Sequence, residues 1–204
     1  MIDEKRVFIA LPFSEGFKKE LKEAIFDLKE KCPEFRWLPE ENWHLTILPP
    51  HYWSENEIEI VSNALKTNLK SKIFNLEADR IVLGPPSPHQ RFIGGGLGQE
   101  RAAYVKTSAS QSKRMVWLLF KDSQEFFNLK TQVAKIIESV GIALDKPYQK
   151  EIIHLTLARF KNQARGFQEK SLNNMVQAEK VELWRVFLDS SGAVYQSLAS
   201  FKLL

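Results

Sequence analysis

Two histidines and two threonines carry the strongest chemical signal in the chain. His44-Leu45-Thr46-Ile47 and His154-Leu155-Thr156-Leu157 each set a His and a Thr two residues apart inside a short apolar run. Runs this short and rich in Leu and Ile are expected to be strands, where residues i and i+2 leave the same face. Each strand then presents an imidazole and a hydroxyl together, with Leu45 and Leu155 on the opposite face. Imidazole titrates near neutral pH, so two of them can serve one reaction as base and acid. Phosphodiester cleavage needs both roles: one proton leaves the attacking oxygen and another reaches the departing oxygen. Thr hydroxyls beside the rings can donate to non-bridging phosphate oxygens, where charge accumulates in the transition state.

The flanking sequence makes the two copies equivalent. Val7-Phe8-Ile9-Ala10-Leu11 precedes the first, followed by Ser14 and an apolar stripe through Phe17, Leu21, Ala24, Ile25 and Leu28. Val116-Trp117-Leu118-Leu119-Phe120 precedes the second, followed by Ser123 and a stripe through Phe126, Val133, Ile136, Ile137 and Val140. Val7 and Val116 are 109 residues apart and the two histidines 110, so strand, Ser-led helix and motif strand recur with one residue of slippage. Two copies imply two similar lobes rather than a solenoid. Equivalent strands in a pseudo-symmetric pair can face each other across a cleft, which brings both His and both Thr to one place.

The elements that must position them can be read in order. Arg6 to Pro12 is a strand buried on both faces, and a helix led by Ser14 runs to Cys32, where Pro33 stops it. The first motif strand, Trp43 to Leu48, is expected to break at Pro49-Pro50. Ser54 and Glu57 form a capping box for a helix with Ile58, Val61 and Leu65 on its buried stripe. Residues 73–83 alternate as a strand, and 92–97 with 102–106 are expected to be a hairpin. The second helix, Ser123 to Val140, ends at Gly141. Ile152 to Phe160 is the second motif strand, 162–175 holds at most a short helix, and 180–190 with 194–203 close the chain as strands.

This constellation resembles the 2H phosphoesterases, which carry two His-x-Thr-x motifs, and within them the RNA 2′,3′-cyclic phosphodiesterase branch, the 2′-5′ RNA ligase-like proteins. The likeness extends to Arg6-Val7-Phe8-Ile9-Ala10-Leu11-Pro12, Trp43-His44-Leu45-Thr46, His154-Leu155-Thr156-Leu157-Ala158-Arg159, Val186-Phe187-Leu188-Asp189-Ser190 and Gly192-Ala193-Val194-Tyr195. It implies an α+β, LigT-like fold: a single bilobal domain in which two mixed sheets face across a cleft with helices outside. The lobes would span about 1–83 and 114–204, joined by 84–113, with strands open to exchange between them. It also implies metal-independent hydrolysis of an RNA terminal 2′,3′-cyclic phosphate to a 2′-phosphate, with His44 as proton donor and His154 as proton acceptor. Arg159 and Tyr195 would belong to the substrate site, although strict alternation puts Arg159 on the face opposite Thr156 unless the strand bulges. Ligation of RNA through 2′-5′ bonds, cleavage of 2′-5′ oligonucleotides or ADP-ribose cyclic phosphate, and non-catalytic RNA binding are the rival readings.

Composition is compatible with this and narrows little else. The chain has 204 residues, 44% of them apolar, and a net charge of +4. Arg91, Arg101, Lys106, Lys113 and Arg114 against Glu100 give 84–114 the whole of that excess, in a stretch that also holds five of the nine glycines. Arg91, Arg101 and Lys106 are therefore expected to attract an RNA backbone, Arg91 most firmly. Trp43, Trp53, Phe92 and Tyr195 are candidates for base stacking. His51 is expected at the surface or the start of a helix, and His89 outside the chemistry. The lone Cys32 reads as a bystander thiol, and no ligand cluster calls for a metal or other cofactor. No secretory signal and no apolar run long enough for a membrane are visible, so a monomeric cytoplasmic protein is expected.

Overall fold

The computed structural model describes residues 3–85, 114–144, 152–161, 164–189 and 192–204. The hairpin expected over 92–106, with His89, Arg91, Phe92, Arg101 and Lys106, lies outside them, as does most of the segment 84–113.

The first sheet is built on β1 (Lys5–Pro12), whose neighbours are the motif strand β3 (His44–Trp53) and the closing strand β9 (Lys180–Asp189), itself paired with β10 (Gly192–Lys202). The second is built on β5 (Met115–Phe120), flanked by the motif strand β6 (His154–Arg159) and by β4 (Phe74–Gly84). Two short strands, β2 (Arg36–Trp37) on β6 and β7 (Lys170–Ser171) on β4, complete it, and β8 (Met175–Ala178) also pairs with β4. All of these pairings are antiparallel, so the expectation of mixed sheets is corrected. A single helical return from β1 would have delivered the motif strand parallel. Instead the chain passes through β2 and a 3-10 turn, Glu40–Asn42, which reverses it once more.

Helices form where the periodicity predicted, with one interruption. Ser14 caps α1 (Glu15–Ala24) by accepting a bond from the Phe17 N–H, and Ile25 separates it from α2 (Phe26–Lys31). Ser54 and Glu57 cap each other's backbone at α3 (Glu55–Asn68). Ser123 caps α4 (Gln124–Ser139), and Gly141, at φ +84°, takes the left-handed turn beyond it. Among the described residues no helix is long and apolar enough to cross a membrane.

The central strands divide their side chains by parity. Val7, Ile9 and Leu11 of β1, with Val116, Leu118 and Phe120 of β5, enter one continuous core with the stripes of all four helices and the buried Cys32. Phe8 and Ala10 leave the other face and cluster with Trp184, Val186 and Tyr195. Trp117 and Leu119 do the same in the second sheet, with Val82, Met115 and Ile152. Those two small clusters lie on the faces that carry the motif histidines.

Pro49-Pro50 does not end β3, which runs through both prolines to Trp53. The strand is at the sheet edge, where a missing N–H faces no partner, and the register with β1 shifts beside the prolines. His51 is accordingly buried, 7% exposed, and its Nδ1–H donates to the Pro49 carbonyl at 2.7 Å, which corrects the expectation of a surface residue. The described part of 162–175 contains β7 rather than a helix.

Candidate active site

Each motif strand bulges at the same place. Ala10 pairs with Thr46 but Ile9 with Leu48, and Trp117 pairs with Thr156 but Val116 with Ala158. Ile47 and Leu157 are the extra residues, 110 apart, and both enter the core with the residue that follows them. The bulge resets the alternation, so Arg159 returns to the face of His154 and Thr156.

His44, Thr46, His154, Thr156, Arg159 and Tyr195 all line one cleft of about 600 Å³ between the two sheets. Leu45 and Leu155 are buried on the opposite face, as the spacing requires. Trp43 and Trp53, at 1% and 2% exposed, belong to the core and offer a base no stacking surface. Their candidacy is withdrawn. A satisfied indole explains Trp43: its Nε1–H donates to the Leu38 carbonyl at 3.2 Å.

Both histidines are tethered alike. His44 Nδ1 lies 2.8 Å from the Asn42 carbonyl and His154 Nδ1 lies 2.9 Å from the Ile152 carbonyl. A carbonyl can only accept, so Nδ1 carries the proton, and in the neutral form of either ring the free lone pair is on Nε2. An aromatic ring packs on each from the neighbouring strand: Phe8 on His44 at 4.9 Å, Trp117 on His154 at 3.8 Å and nearly parallel. Phe8 and Trp117 are 109 apart, the offset of the first strands, so the repeat already contained this pairing unread.

The surroundings then diverge. His44 also meets Trp184 edge-on at 5.2 Å and Tyr195 at 5.4 Å. Removal from water beneath these rings pushes its pKa from 6.5 down to about 4, against the bond to the Asn42 carbonyl, which raises it, while the charge of His154 lowers it further. Trp184 is itself fixed, its Nε1–H donating to Glu182 at 2.7 Å. Burial of Glu182 favours the neutral acid, but bonds from Lys180, Trp184 and Ser197 prevail and hold its carboxyl below the ordinary range. Asn42 makes two ties: beyond its carbonyl, its side-chain amide donates to the Ala193 carbonyl at 3.0 Å. Trp184 and the cleft-lining Arg36 were not foreseen, because the strand pairings that bring them here join distant parts of the chain, and Asn42 was not, because a tie through a backbone carbonyl leaves no mark in residue type.

Among the described residues no three His, Cys, Asp or Glu side chains converge as a metal site would require. The arrangement of two Nε2 atoms, two hydroxyls and a guanidinium can move protons at, and bind, a phosphoryl group.

Residues 11–93 match the family model of the LigT like phosphoesterases. Solved structures match over nearly the whole chain. TT0787 of Thermus thermophilus aligns at TM-score 0.67 and 19% identity, covering 97% of both chains. Escherichia coli LigT complexed with 3′-AMP aligns at TM-score 0.66 and 17% identity, covering 98% of this chain and 99% of that one. The same LigT complexed with phosphate aligns at 0.64 and 15%, covering 98% of both. The fold is that of the LigT-like 2H phosphoesterases. The family match covers the first motif and less than half of the chain, and the structural likeness extends over both lobes. No curated protein matches it significantly in sequence.

Proposed function

We propose that this protein is a 2H phosphoesterase, an RNA 2′,3′-cyclic phosphodiesterase that opens a terminal cyclic phosphate to a 2′-phosphate without a metal. The observation that supports it best is the shared tether: two imidazoles on different sheets, each held through Nδ1 so that Nε2 is the reactive nitrogen, line one cleft. His154 Nε2 accepts a proton from water as its oxygen bonds to phosphorus, the bond from phosphorus to the ribose 3′ oxygen breaks, and His44 gives that oxygen its proton. Thr46, Thr156 and Arg159 meet the non-bridging oxygens, and Tyr195 flanks the nucleoside. His44 on its own is neutral at pH 7; an anionic substrate beside it favours the imidazolium it needs as a donor. That E. coli LigT has been crystallised with 3′-AMP and with phosphate fits a cleft for nucleotides. Arg91 and its basic neighbours are proposed to attract the RNA backbone.

Protein dialysed against EDTA should convert an oligonucleotide ending in a 2′,3′-cyclic phosphate to one ending in a 2′-phosphate, read by mass and by nuclease sensitivity. Activity restored only by added zinc or manganese would overturn the metal-free scheme. Cleavage of a 2′-5′ dinucleotide alone would move the substrate, and binding without turnover would leave an RNA-binding module.

A further inference from the structure

Arg36 and Arg159 stand directly opposite each other in the β2–β6 pairing. Like charges at such positions repel, since the Cβ atoms of cross-strand partners lie about 5 Å apart. Both side chains are exposed, both line the cleft, and no ion pair joins either to a carboxylate among the described residues, although Glu41 lines the same cleft. The fold also makes room for Arg36. Gly192 opens β10 at φ +129°, and a Cβ there would sit 3.3 Å from both terminal nitrogens of the Arg36 guanidinium. The positive φ suits a glycine, and without a side chain there the guanidinium lies close against the start of β10, so Arg36 reaches from one wall of the cleft to the other.

The reacting phosphate does not account for this pair. Arg159 is three residues beyond Thr156 along β6, about 10 Å of strand shortened by the bulge. Arg36 is one strand further out, at the sheet edge. Arg159 returns to the face of His154 and Thr156, and Arg36 stands beyond it on the edge strand. The same cleft is lined by Val186, Leu188 and Tyr195, an apolar surface suited to the flat face of a base or ribose.

We propose that Arg36 binds a second phosphate of the same substrate, one that does not react, with Arg159 standing between it and the reacting group. The inference rests on the phosphodiesterase reading and narrows it: the preferred substrate carries at least two phosphates. The second can be the internucleotide phosphodiester of an RNA end or a terminal phosphate on the 5′ oxygen of a single nucleotide. The guanidinium recognises either by the same charge-assisted bonds.

Three substrates separate the cases: a nucleoside 2′,3′-cyclic phosphate with a free 5′ hydroxyl, the same nucleotide with a 5′-phosphate, and a dinucleotide that ends in the cyclic phosphate. Arg36→Ala should raise KM for whichever two-phosphate substrate fills the site by about tenfold or more. KM for the one-phosphate nucleotide should stay within about twofold, with kcat unchanged on all three. The salt dependence of dinucleotide binding should flatten by about one unit of slope. Since Arg36 is exposed and faces a like charge, its loss should leave thermal stability unchanged or raised. Equal effects on all three substrates, or none, would overturn the proposal. Calorimetric binding of the dinucleotide 2′-phosphate product is read alongside. If no cyclic phosphate is turned over, the phosphodiesterase reading fails, while the loss or retention of that binding in Arg36→Ala still decides the second site.

Discussion

A carbonyl two residues back along the chain is a modest device, yet it settles which nitrogen each histidine offers. The tether is the same for His44 and His154, but what covers the rings is not. Among the described residues the Trp117 indole stacks on His154, whereas Phe8, Trp184 and Tyr195 pack around His44, and removal from water there holds its pKa near 4. A histidine whose folded pKa lies below its unfolded value of 6.5 binds fewer protons folded than unfolded between those limits, so stability is full above pH 6.5 and falls as pH drops toward 4. The loss attributable to His44 should reach about 3 kcal/mol by pH 4. Denaturant melts of wild type and His44→Gln at pH 7 and pH 4.5 should converge at the lower pH. A constant difference between them would mean that His44 titrates normally. At this scale type and spacing in the sequence picked out the histidines and threonines that line the cleft. The sequence withheld the aromatic box, because Trp184 and Tyr195 reach His44 through the pairing of β9 with β1 and of β10 with β9.

Elements explain where period-two reasoning fails. One inserted residue in each motif strand sends Ile47-Leu48 and Leu157-Ala158 inward as adjacent pairs, and Arg159 thereby regains the cleft face. Apolar residues at consecutive positions are the trace that such a bulge leaves in sequence, and continuous burial leaves the same trace. The prolines of β3 mislead for a related reason: they break a central strand, not an edge. Asn42, in the turn that leads into β3, ties two elements together by binding His44 with its carbonyl and β10 with its amide. Asn42→Leu removes only the second bond. It should leave the Ala193 carbonyl without its donor, cost about 1–3 kcal/mol of stability and loosen the strand that carries Tyr195. Turnover should fall by about tenfold with a smaller change in KM, since the loss is of alignment rather than of contact. A variant that lost stability but kept kcat would place Asn42 in the scaffold alone.

The whole molecule is assembled by crossing over. β2 and β4, from the first part of the chain, enter the sheet of the second motif, while β9 and β10, from the end, enter the sheet of the first. The repeat was legible because strand, helix and motif strand recur in order; exchange of strands was left open, but which strands cross was not legible, since a strand's sequence says little about which edge it joins. Its consequence is that the two histidines come from different sheets yet share one cleft. Were they to serve separate steps or separate ligands, losses from replacing them would multiply, as they do for independent sites. If instead one takes a proton while the other gives one in the same displacement, either loss disables the same step. His44→Ala and His154→Ala should each lower kcat by about a hundredfold or more with the fold retained by circular dichroism, and the double variant should be little worse than the weaker single one. A substrate whose leaving group needs no proton, such as a nitrophenyl phosphodiester of a nucleoside, should rescue His44→Ala and leave His154→Ala impaired. Multiplying losses would separate the histidines, and rescue of His154→Ala instead would exchange their roles.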